Sequence, residues 1–156
     1  MKLRPYHAAD ESALVDVWIE SWRSVGLDRP VVTRADLAAR VPRELAGRWT
    51  VTVAEADGRL VGFLAVCLAE KRLDQLFIHP SFHGRGIGSA LFDVARKQLP
   101  SRFWLSTQAA NRRAREFYEL RGMALDRVEK KGSDERASYV SPGWVALCGK
   151  FHDDPQ

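Results

Sequence analysis

Three glycines alternate with other residues in the segment His83-Gly84-Arg85-Gly86-Ile87-Gly88. The segment follows the apolar residues 73–78 and Pro80, and a helical pattern begins where it ends. Glycine weakens local structure, so such a cluster needs a compensating contact. A ligand that approaches backbone N–H groups at the start of a helix supplies one, and a pyrophosphate suits the positive helix end. The alternative is a flexible loop that binds nothing.

Two common phosphate-binding motifs do not fit this segment. The dinucleotide fingerprint G-x-G-x-x-G needs a glycine at position 89, where Ser89 stands. The P-loop needs Gly-Lys followed by Ser or Thr, and that tripeptide does not occur after these glycines. What remains is a strand, Pro80, a short loop with Gly86 and Gly88, and a helix.

A second group of residues follows in the segment 111–123. Asn111, Ala114 and Tyr118 are spaced by three and four residues, which places them on one face of a helix. A stripe of an amide, a small residue and a phenol is a poor apolar core face and could face a ligand. The alternative is that Tyr118 is a packed aromatic with its hydroxyl at the rim.

The elements that position these residues follow from periodicity and turn residues, which predict an α/β domain with a mixed sheet. Predicted strands are residues 2–5, two arms of a hairpin within 49–70, 73–80, 102–107, 124–130 and 143–151, the last two joined around Gly132. Predicted helices are 10–24, 33–45, 87–99 and 111–121. Asp57-Gly58 marks the hairpin turn.

Single residues refine three of these predictions. We expect Asp10 to cap the first helix and Thr33 with Asp36 to form a capping box at the start of the second. Pro42 is expected to shorten or kink that second helix.

Length and composition limit the class of protein. A chain of 156 residues predicts a single domain over 1–156, and no apolar run is long enough for a membrane span or a signal peptide. The spacing of Cys67 and Cys148 matches no zinc or CxxC pattern and favours buried reduced thiols in the cytoplasm. The net charge of +4 permits an anionic partner. Nucleic acid is disfavoured, because the aromatic residues lie in apolar runs and not among the arginines.

Together, the glycine segment 83–88 and the segment 111–123 that contains Tyr118 resemble the motifs of the GNAT superfamily, the Gcn5-related N-acetyltransferases. The acetyl-CoA motif of that family, Gln/Arg-x-x-Gly-x-Gly/Ala, is similar to residues 83–88, with His83 at the Gln/Arg position. The second family motif, Asn-x-x-Ala-x-x-Phe-Tyr followed by Gly-Phe, is similar to residues 111–123, with Met123 in place of the final Phe. The resemblance implies the GNAT fold, a mixed, mostly antiparallel, splayed sheet of about seven strands with about four helices.

The resemblance also implies where acetyl-CoA binds as the acyl donor. Its pantetheine arm pairs with the edge of the strand that holds Leu76, Phe77 and Ile78, and a backbone N–H near Phe77 or Ile78 polarises the thioester carbonyl. The loop that starts the next helix cradles the pyrophosphate, and Asn111 reaches the cofactor arm. The loop residues so implied are His83, Gly84, Arg85, Gly86, Ile87, Gly88 and Ser89.

Two side chains are implied as catalytic. Tyr118 lies near the sulfur and donates a proton to the departing thiolate. Many GNAT enzymes place a Glu early in the strand before the loop as a base, and Asp74 is the nearest candidate here. Asp74 is otherwise a solvated strand-end carboxylate, and a water relay or an amine that arrives neutral needs no dedicated base.

The sequence therefore predicts an N-acetyltransferase that transfers an acetyl group directly to a primary amine of a small molecule or peptide, without a metal ion. The alternative is an acyl-CoA sensor or accessory module with weak catalysis. The sequence is compatible with a homodimer, and these motifs do not encode the identity of the acceptor.

Overall fold

The computed structural model describes residues 1–26 and 32–142 of the chain. They belong to two compact units, of which the first comprises residues 1–98 and the second begins at Leu99. The described residues contain seven strands and four α-helices, which confirms the α/β class and the about seven strands and about four helices that the family resemblance implies.

The first unit holds four strands and three helices. The strands are β1 (Lys2–Pro5), β2 (Thr50–Ala56), β3 (Arg59–Cys67) and β4 (Arg72–Ile78), and each is antiparallel to the next. The helices are α1 (Glu11–Ser24), α2 (Arg34–Gly47) and α3 (Ile87–Gln98). Short 3-10 turns occupy Ala8–Asp10 and Pro80–Phe82.

The second unit holds three strands and one helix in its described part. These are β5 (Trp104–Gln108), α4 (Arg112–Leu120), β6 (Ala124–Lys131) and β7 (Asp134–Val140). β7 pairs antiparallel with both β5 and β6.

The core of the first unit forms where the apolar face of α1 meets the sheet. Trp18 is 1% exposed, and its ring centroid lies 5.7 Å from those of both Trp49 and Phe63. Burial of aromatic side chains dominates the stabilisation of such a core. This packing fixes α1 on the strands, and one polar residue of α1, Ser21, contacts the end of β4.

Two local predictions are confirmed. Asp57 and Gly58 both have positive φ, 51° and 76°, as a two-residue hairpin turn of type I′ requires. Thr33 and Asp36 form the expected capping box, since each side chain accepts a hydrogen bond from the other residue's backbone N–H, at 3.1 and 3.0 Å. Cys67 is buried and free, as predicted, whereas Cys148 lies outside the described residues.

Three local predictions need correction. The Asp10 side chain does not cap α1, because its carboxylate binds Arg4 and the backbone N–H of His7 instead. α2 is not shortened at Pro42 and continues to Gly47. The strand after the Gly132 turn begins at Asp134, so β7 was missed, because charged residues at its start obscure its short apolar end. The predicted strand 143–151 lies outside the described residues.

Candidate functional site

The last residues of β4 alternate in the direction of their backbone groups. In the antiparallel register Phe63 is opposite Phe77 and Gly62 is opposite Ile78, and the N–H of His79 donates to the Val61 carbonyl at 2.8 Å. Residues of an antiparallel pair alternate between hydrogen-bonded and non-bonded positions. Phe77 and His79 therefore direct their backbone groups toward β3, and Ile78 directs its N–H and C=O away from β3.

The carbonyl of Ile78 accepts hydrogen bonds from two side chains. Ser21 Oγ of α1 donates over 2.9 Å, and His83 Nε2 lies at 2.9 Å. A carbonyl can only accept, so Nε2 of His83 carries the proton in this contact. The end of β4 is thus tied both to α1 and to the first residue of the glycine loop.

The glycine loop needs glycine for its backbone conformation. Gly84 and Gly86 have φ of 78° and 82°, in the region that side chains disfavour. A Cβ at either position would have no atom within 4 Å, so the space beside the backbone is open. The first N–H groups of α3 have no acceptor inside the helix. The loop and helix start thus offer an approachable, positive place for an anion.

Arg85 extends its side chain toward the β2–β3 turn. Its Nη1 lies 3.4 Å from Asp57 Oδ2, and its Cζ lies 4.6 Å from the ring centroid of Phe82. Arg59, from the start of β3, stacks on the same ring at 4.8 Å. Two guanidinium groups therefore lie beside the loop and add positive charge to its surroundings.

Gly62 brings β3 close to the end of β4. A Cβ at Gly62 would lie 2.8 Å from Ile78 Cδ1, 3.1 Å from the Phe77 carbonyl oxygen and 3.5 Å from Ile87 Cγ2. Glycine eases the approach of β4 and the start of α3 at this point, since a side chain would crowd the Phe77 carbonyl and displace the end of the Ile78 side chain. The sequence analysis did not identify Gly62, because a lone glycine in a strand gives no sign of what packs against it.

Asp74 lies at an irregularity of β4. Ala65 is opposite Gln75 and Val66 is opposite Leu73, so Asp74 is the extra residue of a bulge. Its side chain is 2% exposed. The expectation of a solvated carboxylate is therefore wrong.

The Asp74 carboxylate is held by two hydrogen bonds and a further ion pair. Trp49 Nε1 donates at 2.5 Å and Arg48 Nη2 at 3.1 Å, and the guanidinium of Arg72 pairs with the carboxylate at an Nε distance of 3.2 Å. Asp74 also lies four residues before Ile78, which is roughly 13 Å along an extended strand.

Glu44 of α2 extends this ion-pair cluster. Its side chain contacts Arg48 Nε at 2.7 Å and Arg40 Nε at 3.4 Å. Burial opposes ionisation of Glu44, but the hydrogen bond and charge of Arg48, together with Arg40, outweigh it and lower its pKa. The cluster therefore favours the charged form of the Glu44 carboxylate.

In the second unit, α4 carries both predicted residues of the second motif. Asn111 is the N-cap of α4, and its Oδ1 accepts from the N–H of Ala114 at 3.1 Å. Tyr118 is 7% exposed, and burial raises the pKa of its hydroxyl, an effect that the charge of Arg121 opposes. The hydroxyl is therefore protonated at neutral pH and able to donate.

Arg115 on the same helix has a defined partner. Its Nε donates to the Tyr139 hydroxyl at 2.9 Å. That hydroxyl in turn donates to Glu119 at 2.6 Å. This chain of polar groups fixes α4 on β7.

The predicted site residues thus fall into two groups. Leu76–Ile78 and the loop 83–89 lie together in the first unit, and Asn111 and Tyr118 lie on α4 in the second. Ser21 is a site neighbour that sequence reasoning missed, because a serine beside an apolar stripe gives no signal. Across residues 1–26 and 32–142, no cluster of three metal-ligating side chains exists and no helix is long and apolar enough to cross a bilayer.

Comparison with known proteins gives a consistent result. A family model described as Acetyltransferase (GNAT) family matches residues 12–123. An uncharacterized N-acetyltransferase of Archaeoglobus fulgidus is 32% identical over 150 residues, covering 85% of this chain and 98% of that protein. The peptidyl-lysine N-acetyltransferase YiaC of Escherichia coli is 28% identical over 155 residues, covering 92% of this chain and 93% of that protein.

A solved structure agrees at the level of the fold. The PaiA N-acetyltransferase of Thermoplasma acidophilum, solved in complex with coenzyme A, superposes with a TM-score of 0.70 at 21% identity and covers 88% of this chain and 96% of its own.

Proposed function

The chain belongs to the GNAT family of acetyltransferases, and from that premise we propose that it transfers the acetyl group of acetyl-CoA directly to a primary amine of a small molecule or peptide. Members of this family are acetyl-CoA-dependent N-acetyltransferases.

One observation carries the proposal. At the end of β4, the N–H of Ile78 is directed away from β3, and the glycine loop with the start of α3 follows five residues later. A backbone N–H that can donate to a carbonyl oxygen is therefore followed along the same segment by an approachable anion site. This is the arrangement that a thioester attached to a pyrophosphate requires.

Each part of this segment has a role in the proposal. Acetyl-CoA, when bound, supplies an activated acetyl group as a thioester. The Ile78 N–H donates to the carbonyl oxygen, where negative charge develops during attack by the amine. The N–H groups of the loop and of the first turn of α3 hold the pyrophosphate. Of the two backbone donors expected from the resemblance, the register supports Ile78 over Phe77.

Tyr118 is the proposed general acid. Because burial raises the pKa of its hydroxyl, Tyr118 keeps its proton at neutral pH and can give it to the leaving thiolate. Asn111, the cap of the same helix, is proposed to contact the cofactor arm through its amide nitrogen, since its oxygen serves the cap.

We propose that the amine loses its proton either to a water molecule in the site or to solvent before the amine binds. The alternative base, Asp74, is engaged by Arg48, Arg72 and Trp49 and lies roughly 13 Å along the strand from Ile78. An Asp74→Asn variant discriminates between the two assignments.

A lysine side chain is one member of the proposed acceptor class. Support for it comes from the Escherichia coli relative, whose name assigns it to peptidyl-lysine. The test is a screen in which release of CoA from acetyl-CoA is followed with lysine peptides, polyamines and other small primary amines. Acetylation of at least one of them is expected. Tight binding of acetyl-CoA without turnover of any amine would favour the sensor instead.

We also propose a cytoplasmic location. Cys67 is buried and free, and unpaired thiols persist best in a reducing compartment. Fractionation of cells tests this, and recovery of the protein outside the cytoplasmic fraction would contradict it.

A further inference from the structure

We propose that Ser21 is a positioning residue for acyl transfer, acting through the carbonyl of Ile78 on the N–H of the same residue. This inference rests on the proposed function, in which the Ile78 N–H donates to the thioester carbonyl. Ser21 belongs to α1, outside both motifs that define the site, and no residue of α1 was predicted to act in the chemistry.

The Ser21 hydroxyl is a buried polar group with one defined partner across the fold. The residue is 4% exposed, and its Oγ donates to the Ile78 carbonyl at 2.9 Å over a sequence separation of 57 residues. Its neighbours on the helix, Val17 and Trp18, are 2% and 1% exposed and anchor α1 on the core. The hydroxyl is therefore presented to β4 from a rigid element.

Satisfying the Ile78 carbonyl does not require Ser21. His83 Nε2 already lies at 2.9 Å from the same oxygen, so the carbonyl would keep a partner without the serine. Two donors from two different elements instead restrict the direction of the carbonyl. A hydrogen bond weakens steeply as its angle departs from linear, so a peptide held from two sides has little freedom to tilt.

The position of the carbonyl is coupled to the direction of the catalytic donor. The C=O of Ile78 belongs to the 78–79 peptide plane and its N–H to the 77–78 plane, and the two planes meet at the Ile78 Cα. In extended backbone both groups point to the same edge of the strand. A shift of the carbonyl changes φ and ψ of Ile78 and so redirects its N–H. Because charge on the acetyl oxygen grows in the transition state, misalignment should affect turnover more than binding.

The expected magnitude follows from comparison with complete removal of an oxyanion donor. Such removal lowers the turnover number by about a hundred- to a thousandfold. Ser21→Ala leaves the Ile78 N–H in place and removes one restraint on a peptide that His83 and the hydrogen bond from the His79 N–H to Val61 also hold. We therefore expect a loss of roughly three- to thirtyfold in kcat, with the KM for acetyl-CoA nearly unchanged.

The experiment compares three variants with a probe that needs no acceptor. Ser21→Ala removes the hydroxyl and Ser21→Thr restores one. Ser24→Ala is the matched control, because Ser24 Oγ lies on the same helix and donates at 2.8 Å to the Ser21 carbonyl only within α1. The probe is S-acetonyl-CoA labelled with carbon-13 at the ketone, which cannot transfer an acyl group. Its carbon-13 shift moves downfield when an N–H polarises the ketone.

We expect the carbon-13 signal of the bound probe to shift downfield in the wild type and in Ser24→Ala. The downfield shift should be smaller in Ser21→Ala and should recover in Ser21→Thr. Calorimetry should give similar probe affinities for all four proteins. The loss of kcat, measured with an amine from the acceptor screen, should follow the same order. An equal shift in Ser21→Ala and the wild type would overturn the inference, and so would a Ser21→Thr that fails to recover although it is folded and binds the probe. If the wild type binds without a shift, the role of Ile78 is wrong, and if it does not bind, the cofactor site itself is wrong.

Discussion

His83 Nε2 lies 2.9 Å from the carbonyl oxygen of Ile78, so the first residue of the glycine loop binds back to the strand that precedes the loop. The family motif has Gln or Arg at this position, and here the side chain contacts the protein backbone. The proposed anion contacts therefore come from backbone N–H groups, which are the same for any side chain at position 83.

A side chain at Gly88 should disrupt these contacts. Gly88 is the second residue of α3, so Gly88→Glu places a bulky negative charge at the helix end that is proposed to hold the pyrophosphate. Affinity for acetyl-CoA, measured by calorimetry, should fall by at least about tenfold, or about 1.4 kcal/mol.

The matched control for Gly88→Glu is Gly47→Glu. Gly47 ends α2, and a Cβ there would meet no atom within 4 Å, so the control adds the same side chain and charge in open space. Its affinity for acetyl-CoA should equal that of the wild type. A folded Gly88→Glu with unchanged affinity would remove the phosphate-site assignment.

Tyr118→Phe should separate catalysis from binding. The ring and its packing survive, so acetyl-CoA affinity should change little. Loss of the proton donor should lower kcat by roughly ten- to a thousandfold, the scale of a positioned general acid. The loss should shrink with a donor whose thiol is a better leaving group, because that thiolate needs less protonation.

Tyr139→Phe is the comparison for the phenol hydroxyl. The Tyr139 hydroxyl bonds Arg115 and Glu119, so its removal should lower stability and leave the effect of the leaving group unchanged. If Tyr118→Phe turns over at the wild-type rate when chemistry limits, Tyr118 has only the packing role.

Asp74→Asn distinguishes a structural carboxylate from a base. The Asp74 side chain is 2% exposed and is paired with Arg48 and Arg72, which are partly exposed. Loss of its charge should therefore lower the free energy of unfolding, measured in urea, by about 2–3 kcal/mol, which is less than the loss expected for a fully buried ion pair. The shape of the pH–rate profile should be retained. A rate loss greatest at low pH, where the amine is charged, would instead identify Asp74 as the base. Glu70 contacts Nη1 of the same Arg48 at 3.4 Å, so Glu70→Gln removes a neighbouring carboxylate and is the control for charge alone.

The pH dependence of stability should report on Glu44. Its pKa is lowered in the folded protein, because Arg48 and Arg40 together outweigh the effect of burial. A lowered pKa stabilises the fold above the unfolded value of about 4.3, and this contribution is lost as the pH falls through the folded value. Glu44→Gln should therefore be less stable than wild type by about 1–2 kcal/mol at pH 7, and the difference should shrink below about pH 4.

Glu20→Gln provides the baseline for this measurement. Glu20 forms an exposed pair with Arg23 at 3.5 Å, and exposed pairs contribute little. The free energy of unfolding of Glu20→Gln should therefore follow that of the wild type across the pH range. A constant difference between wild type and Glu44→Gln down to pH 3 would contradict the assignment of the acid-labile contribution to Glu44.

Predictions from sequence were reliable where a few neighbouring residues decide the structure. The Asp57-Gly58 turn and the Thr33 capping box depend on backbone preferences and side chains three residues apart. The extent of α2 past Pro42 and the start of β7 were not predictable in this way, because packing of Leu37 and Val41, and pairing of β7 with two strands, override the local signals.

The sequence by itself determined the order of the elements, the family motifs and hence the positions of the glycine loop, Asn111 and Tyr118, because periodicity and motif spacing are properties of contiguous residues. Only the tertiary structure decided that Ser21 binds Ile78, that Ile78 faces away from β3, and that Asp74 is buried between Arg48 and Arg72. A serine or an aspartate reads the same in sequence whether it is solvated or buried. Its partner is set by which helix packs on which strand, and at what register, across tens of residues.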